Sequence, residues 1–442
     1  MCIVGGGIAG LVLAVEAGAA GLRTVLLEAG ERVGGMLAPV SVGDGLLVDG
    51  GAESFATRAD VVARLIERWS LPVEIVAPDP AGAWLVVPDD SGAGVRRAPL
   101  PRHSILGIPA DPESDDVVAL VDPVRERLQP LPASEPSLHE LVASRLGEAL
   151  ATTIVDTVCR GVYSAPASRL RLSRVHPQLW ARVQQTGSLT AAVSDLTTTG
   201  ERPGSAVAGI RGGLWRLADA LAARAEAAGV AIRTDTRVTH LDSGPDGVDV
   251  RTNRGGVRAR SLVLATGRAE IDRLLGRPDG AAGSPVLLAI ARIHAPALDG
   301  HPIGTGALVA ETVAGQVKAL THASAKWEWL RDELTPHEHV VRLSARDAET
   351  ARFDAESISE AVTRITGVAV RPSAIRELRV CRWDAQSASV SSGAAPPPPP
   401  GIHLAGAAVA GTGLAAVIPH AQALAADLLV HPPTSSNPRP IR

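Results

Sequence analysis

The chain has 442 residues, 45% hydrophobic and 20% charged, with 44 glycines and 33 prolines. This composition suits a globular protein of two or three domains and excludes a disordered chain. A net charge of −4 argues against a nucleic-acid binder acting through bulk positive charge, and three scattered cysteines (Cys2, Cys159, Cys381) exclude a disulfide scaffold and a zinc ribbon.

In chain order, Cys2, Ile3 and Val4 read as an apolar strand, followed by a glycine turn and a helix over 11–20 that Gly21 ends. Residues 24–27 form a second strand closed by Glu28. Strand, turn, helix, strand opens a parallel α/β sheet. Residues 59–69 have helical spacing, 76–136 are rich in Pro and Asp with few periodic signals, 137–158 return to a helical pattern, and polar 185–209 reads as a loop. Leu214, Leu217, Leu221 and Ala225 mark an amphipathic helix ended by Gly229. Strands are expected at 231–234, 238–241, 248–252 and 261–265, with turns at Asp246-Gly247 and Arg254-Gly255-Gly256. A second set of strands is expected at 286–294, 307–321 and 340–344, then a helix at 356–366. The proline run 396–400 predicts an extended loop, 401–405 a last strand and 413–429 a helix, with a disordered tail from His431. No signal peptide, no transmembrane helix and no metal site are expected; His337-x-His339 reads as a polar turn after Pro336.

Gly5-x-Gly7-x-x-Gly10, with Ile8 and Ala9 between its last two glycines, follows a strand and opens a helix, and Glu28 ends the next strand. That context makes it a dinucleotide-binding pattern. Gly5 allows the tight turn, Gly7 lets backbone approach a pyrophosphate, Gly10 lets helix and strand pack closely, and Glu28 can accept from ribose hydroxyls.

The stretch Glu28-Ala29-Gly30-Glu31-Arg32-Val33-Gly34-Gly35 resembles the Glu…Arg-x-Gly-Gly extension of flavoprotein amine oxidases and porphyrinogen oxidases. Asp49-Gly50-Gly51-Ala52-Glu53-Ser54-Phe55, Cys159-Arg160-Gly161-Val162-Tyr163, Ala208-Gly209-Ile210-Arg211-Gly212-Gly213-Leu214, Lys326-Trp327, Arg382-Trp383 and 405–414 resemble, in order, segments of the FAD-dependent porphyrinogen oxidases, most like the actinobacterial coproporphyrinogen III oxidase type. The resemblance spans about residues 3–429. It implies an α/β fold, α+β overall: a Rossmann-like FAD-binding domain with a parallel sheet, interleaved with a substrate domain of mixed sheet and a helical subdomain. The implied division is 1–75, 206–270 and 401–430 for FAD binding, 76–205 for the helical and substrate-side insertion, 271–385 for the substrate sheet, and 431–442 for the tail.

The implied FAD contacts are Gly5, Gly6, Gly7, Ile8, Ala9, Gly10, Glu28, Ala29, Arg32, Gly34, Gly35, Gly51, Ala52, Glu53, Ser54, Val238, Trp383, Gly411, Thr412, Gly413 and Leu414. The implied reaction is removal of six electrons and six protons from coproporphyrinogen III, with dioxygen reoxidising the flavin and yielding hydrogen peroxide. Protoporphyrinogen IX, an amine-oxidase-like activity and a non-catalytic relative are the alternatives. Substrate carboxylates need cations, for which Arg96, Arg97 and Arg102, or Arg160, Arg169 and Arg171, are candidates; Gly161 belongs to the same substrate half. No catalytic acid or base is assigned. A cytoplasmic protein is expected, with weak peripheral membrane contact and contact with downstream heme-pathway enzymes left open. One departure stands out: 388–393 and the proline run replace an aromatic and a helix of the family pattern.

Overall fold

The computed structural model of the chain describes residues 1–57, 60–89, 91–92, 94–163, 165–197, 207–245, 247–278, 285–383 and 396–430. The expected tail and the altered 388–393 segment lie outside the described residues.

Apolar triplets build the first sheet. Ala231–Arg233, Val25–Leu27, Cys2–Val4, Leu262–Leu264 and Ile402–Leu404 lie side by side in that order, every pairing parallel. Cys-Ile-Val and Leu-Val-Leu in the middle are buried on both faces, as a covered parallel sheet requires. The helix Ile8–Ala19 is buried along nearly its whole length, against Trp215–Ala227 and Leu414–Val430. Segments from the start, middle and end of the chain therefore meet in one nucleotide-type sheet.

The second sheet is mixed. Its strands run in the order Ile375–Trp383, Val286–His294, Glu338–Ala345, Val317–His322, Gly306–Val309, Ala83–Pro88, Val95–Pro99. All neighbours are antiparallel except Gly306–Val309 with Ala83–Pro88. Helix Ala355–Thr366 packs against it, opened by an Asp354/Ser357 capping box and ended by Gly367 at φ 77°. A hairpin, Pro39–Ser41 with Leu47–Asp49, packs Val42 and Val48 with Ile290 and Val340 of the sheet. The α/β architecture with one parallel and one mixed sheet agrees with the expected fold class.

Three local expectations are corrected. Within 185–209, Leu189–Thr197 is a helix and Val207–Ile210 a strand. Leu189, Ala192 and Val193 bury one side of that helix, and its start is capped from a distance: Glu126 accepts from the Leu189 and Thr190 amides at 2.7 and 3.1 Å. Within 76–136, Ala83–Pro88 and Val95–Pro99 are strands of the large sheet. Gly255 and Gly256 open a strand, Gly255–Ala259, rather than ending at a turn.

The His337-x-His339 segment is only half a turn, because Glu338–Ala345 is a strand that carries His339 inward. His339 Nε2 faces Asp299 Oδ1 at 3.2 Å, and its Nδ1 lies 3.1 Å from Nε2 of fully buried His322. Burial pushes the His322 imidazolium down to about 3, helped by the neighbouring His339 and His301. Burial also lowers His339, against the opposing pull of Asp299.

Both rings are thus neutral in the fold while the unfolded chain titrates them near 6.5. Below that pH the unfolded state binds more protons, so stability falls as pH drops from about 6.5 toward the depressed folded values. The expected contribution is up to about 1.4 kcal/mol per pH unit for each histidine. Urea midpoints at pH 7.5 and 5.5 check it: a His322→Gln, His339→Gln variant shows a shallower acid loss than the parent chain.

Candidate cofactor site

The glycine turn is built by close backbone crossing. A Cβ on Gly10 would lie 2.0 Å from the Gly5 carbonyl oxygen. One on Gly5, which sits at φ +103°, would lie 2.8 Å from the Ala265 oxygen. Gly7 is different: its φ is −69°, and a Cβ there meets nothing within 4 Å. Gly7, the N-cap, has no side chain to cap the helix that follows, so the first-turn amides and positive dipole end face this open space. Gly34 N donates to Gly6 O at 2.8 Å, and a Cβ on Gly35 would sit 3.3 Å from Gly7 Cα, so the second glycine pair lies along the turn.

Glu28 accepts from Gly6 N and Gly30 N, each at 2.7 Å, which sets its carboxylate at the rim. Ala29 beside it is exposed. Arg32 pairs with Asp219 at 2.7 Å and reaches the Leu37 carbonyl. Among the described residues, buried Thr266 Oγ1 has no hydrogen-bond partner, and its methyl lies against Gly5. Gly411 and Gly413, at φ +85° and +90°, border open space around exposed Thr412 and half-buried Leu414. Val238 is buried, and its carbonyl accepts from Arg273 at 2.8 Å. An open glycine cradle at an uncapped helix start, with an orphaned hydroxyl beside it, fits a bound dinucleotide such as FAD.

The segment from Gly50 to Ser54 ties this cradle to the large sheet. Gly50 N and Ala52 N donate to Ala38 O and Met36 O at 2.8 and 3.0 Å. Trp383 Nε1 donates to Gly50 O at 2.8 Å, and Arg342 donates to Gly51 O. Glu53 lies between Lys326 at 2.8 Å and Arg342 at 2.5 Å, its side chain 12% exposed. Burial alone would raise the Glu53 carboxyl, but the two cations outweigh it and hold it at about 2. Asp49 accepts from Leu214 N and Trp215 N at 3.0 and 3.1 Å and so caps the helix Trp215–Ala227. Burial nevertheless pushes Asp49 up to about 6. Sequence reasoning placed Glu53 here but not Arg342, whose role carries no local mark in an arginine-rich chain. Lys326 had a signal: it is one of only two lysines.

The other candidates lie apart from this center. Arg97 donates to Ile365 O at 2.8 Å and Arg364 O at 2.7 Å, closing the end of the Ala355–Thr366 helix, while Arg96 reaches the Leu120 carbonyl at 3.4 Å. Their strand is the outer edge opposite Trp383, six strand steps away, about 29 Å. Arg102 lines a separate cleft of about 640 Å³ with His103, Asp111, Asp116 and Ser194. Gly161 backs onto Leu308, where a Cβ would lie 2.6 Å from Cδ2.

Removing the charge of Glu53 leaves buried Arg342 and half-buried Lys326 without their carboxylate. Glu53→Gln is expected to cost about 3 kcal/mol or more of stability, read as a lower urea midpoint in the cofactor-free protein. An unchanged midpoint would mean that the pairs contribute nothing net.

The chain matches the model of the flavin containing amine oxidoreductase family over residues 8–299. It is 29% identical over 408 residues to the coproporphyrinogen III oxidase of Mycobacterium bovis, covering 86% of this chain and 85% of that protein. To the coproporphyrinogen III oxidase of Propionibacterium freudenreichii it is 28% identical over 384 residues, covering 74% and 69%. Its fold superposes on a solved Exiguobacterium protein, provisionally named a protoporphyrinogen oxidase, with a TM-score of 0.76 at 22% identity over 97% and 98% of the two chains. With a family match over more than half its length, the chain belongs to the flavin containing amine oxidoreductase family and is a flavin-dependent oxidoreductase.

Proposed function

We propose that the protein oxidises a porphyrinogen, coproporphyrinogen III in the first place, to the corresponding porphyrin. The observation that carries this reading is the match to the mycobacterial coproporphyrinogen III oxidase across 86% of the chain.

Bound FAD would supply the hydride acceptor. The chain's own residues bind and orient. In this reading the free amides at the start of Ile8–Ala19 hold the pyrophosphate, and Glu28 accepts from ribose hydroxyls. Gly34 and Gly35 let their loop approach the phosphates. Trp383 and Arg342 fix the carbonyls of Gly50 and Gly51, so that this strip of backbone keeps one position beside the cofactor. Six electrons and six protons leave the porphyrinogen; three dioxygen molecules take them up as three of hydrogen peroxide. No side chain is assigned as general base.

Porphyrin fluorescence tests the reading. FAD-loaded protein, in air, is given reduced coproporphyrinogen III, with protoporphyrinogen IX in parallel. A signal rising faster than autoxidation with the first substrate is expected. A preference for the second changes the substrate and keeps the chemistry. No rate above autoxidation with either overturns the reading.

The cradle has its own test. A side chain at Gly7 enters empty space from an ordinary backbone conformation, so Gly7→Val is expected to fold like the parent chain without cofactor. Its FAD affinity is expected to fall by about a hundredfold or more, since the valine occupies the approach to the helix amides. FAD fluorescence quenching on titration with apoprotein, beside a melting curve, reads both.

A further inference from the structure

The helix Ala323–Lys326 is a single turn, too short to be stable by itself. It nevertheless presents Lys326 to Glu53 at 2.8 Å. Its place must therefore be fixed from outside. At its start the His322 amide donates to the Thr305 carbonyl at 3.0 Å. In its middle Ser324 Oγ accepts from Val340 N at 3.1 Å. At its end the Lys326 carbonyl accepts from Asp79 N at 2.9 Å. A further tie is the side chain of His322, the residue on which the helix opens.

That side chain belongs to a relay of hydrogen bonds with one fixed sense. Asp299, half-exposed at its outer end, is ionised: burial works against the charge, but hydrogen bonds from His337 and His339 hold its carboxyl below the ordinary range. A carboxylate can only accept. His339 Nε2 therefore carries a proton and donates to Asp299 Oδ1 at 3.2 Å, which leaves Nδ1 of the neutral ring as an acceptor. His322 Nε2 in turn carries a proton and donates to His339 Nδ1 at 3.1 Å. The two rings are 1% and 5% exposed, and His301 packs edge-on against His322 with 5.2 Å between ring centroids. In such surroundings an unmatched donor or acceptor is costly, so the contact allows one relative placement of the rings.

The relay ends one helical turn from the cofactor-side charges. Lys326 follows His322 by four residues. Its ammonium lies over the Trp327 ring at 4.9 Å, and that ring is buried against Gly209, where a Cβ would lie 2.8 Å from it. Glu53, which the ammonium meets, also pairs with Arg342, and Arg342 donates to the Gly51 carbonyl. A continuous line of contacts thus runs from Asp299 at the surface, through His339 and His322, to Lys326, Glu53 and the backbone strip from Gly50.

We propose that His322 and His339 are positioning residues for the cofactor: their hydrogen bond sets the helix Ala323–Lys326, and through Lys326 and Glu53 it sets the strip of backbone that borders the flavin. The inference rests on FAD as the cofactor and on nothing about the substrate. A lysine side chain is long and flexible, so its ammonium meets one carboxylate reliably only if its backbone is held. Were the two rings needed only to fill space, leucine would serve as well. The proposal requires instead that the donor at His322 and the acceptor at His339 matter, and that they matter only while Lys326 is there to transmit them.

The test is a double-mutant cycle on FAD affinity, read by flavin fluorescence quenching on the full-length chain, with the melting temperature of each cofactor-free protein recorded. Lys326→Met is expected to raise the Kd for FAD about tenfold, and His322→Leu to raise it by a similar factor. His339→Leu breaks the same hydrogen bond from another strand and replaces His322→Leu if that variant misfolds. His322→Gln keeps a donor in place and is expected to stay within about threefold of the parent chain. In the Lys326→Met background, His322→Leu is expected to add less than about twofold. Factors that multiply in the double variant overturn the proposal, because the histidines would then act independently of Lys326. It is equally overturned if folded His322→Leu or Lys326→Met binds FAD like the parent chain. A parent chain that binds no FAD overturns the cofactor assignment, and the proposal with it.

Discussion

A single buried carboxylate holds the two halves of this molecule in register. Glu53 comes from the segment that continues the first nucleotide-side hairpin, and its two cations come from the large sheet and the short helix Ala323–Lys326 beside it. Charges in such a place are costly unless each is paired and hydrogen-bonded. The pairing therefore tolerates one arrangement of the halves and penalises the others. Arg342 adds a second constraint, because the guanidinium that meets Glu53 also donates to the Gly51 carbonyl. Trp383 adds a third through Gly50. The strip of backbone from Gly50 to Glu53 is thus positioned by the large sheet.

Two kinds of glycine serve the cofactor region in opposite ways. Gly10 and Gly51 have no room for a side chain: a Cβ at either would lie 2.0 Å from a carbonyl oxygen. They are needed for the fold itself. Gly7, Gly411 and Gly413 border open space. There the missing side chain leaves volume for something else; at Gly7 a side chain would cost packing nothing, whereas at Gly411 and Gly413 the positive φ would strain any other residue. The distinction separates residues that build the cradle from residues that leave it empty.

The parallel sheet was legible because each of its strands is a short apolar run followed by a glycine, an acid or a turn, and the nucleotide turn was legible because its glycines stand at fixed spacing between a strand and a helix. What stayed hidden was long-range. Leu189–Thr197 looks like loop because the stretches on either side of its short apolar pattern are rich in Ser, Thr and Gly and its cap, Glu126, lies far back in the chain. Ala83–Pro88 gains its strand character from Gly306–Val309, more than two hundred residues later. Arg342 looks like any other arginine until pairing sets it beside Glu53. The neighbouring arginines 96 and 97 drew notice by being adjacent, but only the strand order reveals that they stand on the outermost strand.

The strand Ile402–Leu404 and the helix Leu414–Val430 complete the nucleotide sheet and cover the first helix. The glycine turn and the start of this helix are made within the first ten residues, yet one helical partner, Trp215–Ala227, arrives about two hundred residues later and the other, Leu414–Val430, about four hundred. During synthesis the glycine turn must wait, with its apolar helix only partly covered, until Leu414–Val430 has emerged. Closing so long a loop is slow and leaves hydrophobic surface open to wrong partners in the interval. The fold therefore leaves the nucleotide sheet incomplete until Ile402–Leu404 has been made, and a chain stopped short of Ile402 would have every glycine of the turn and no sheet edge to complete it.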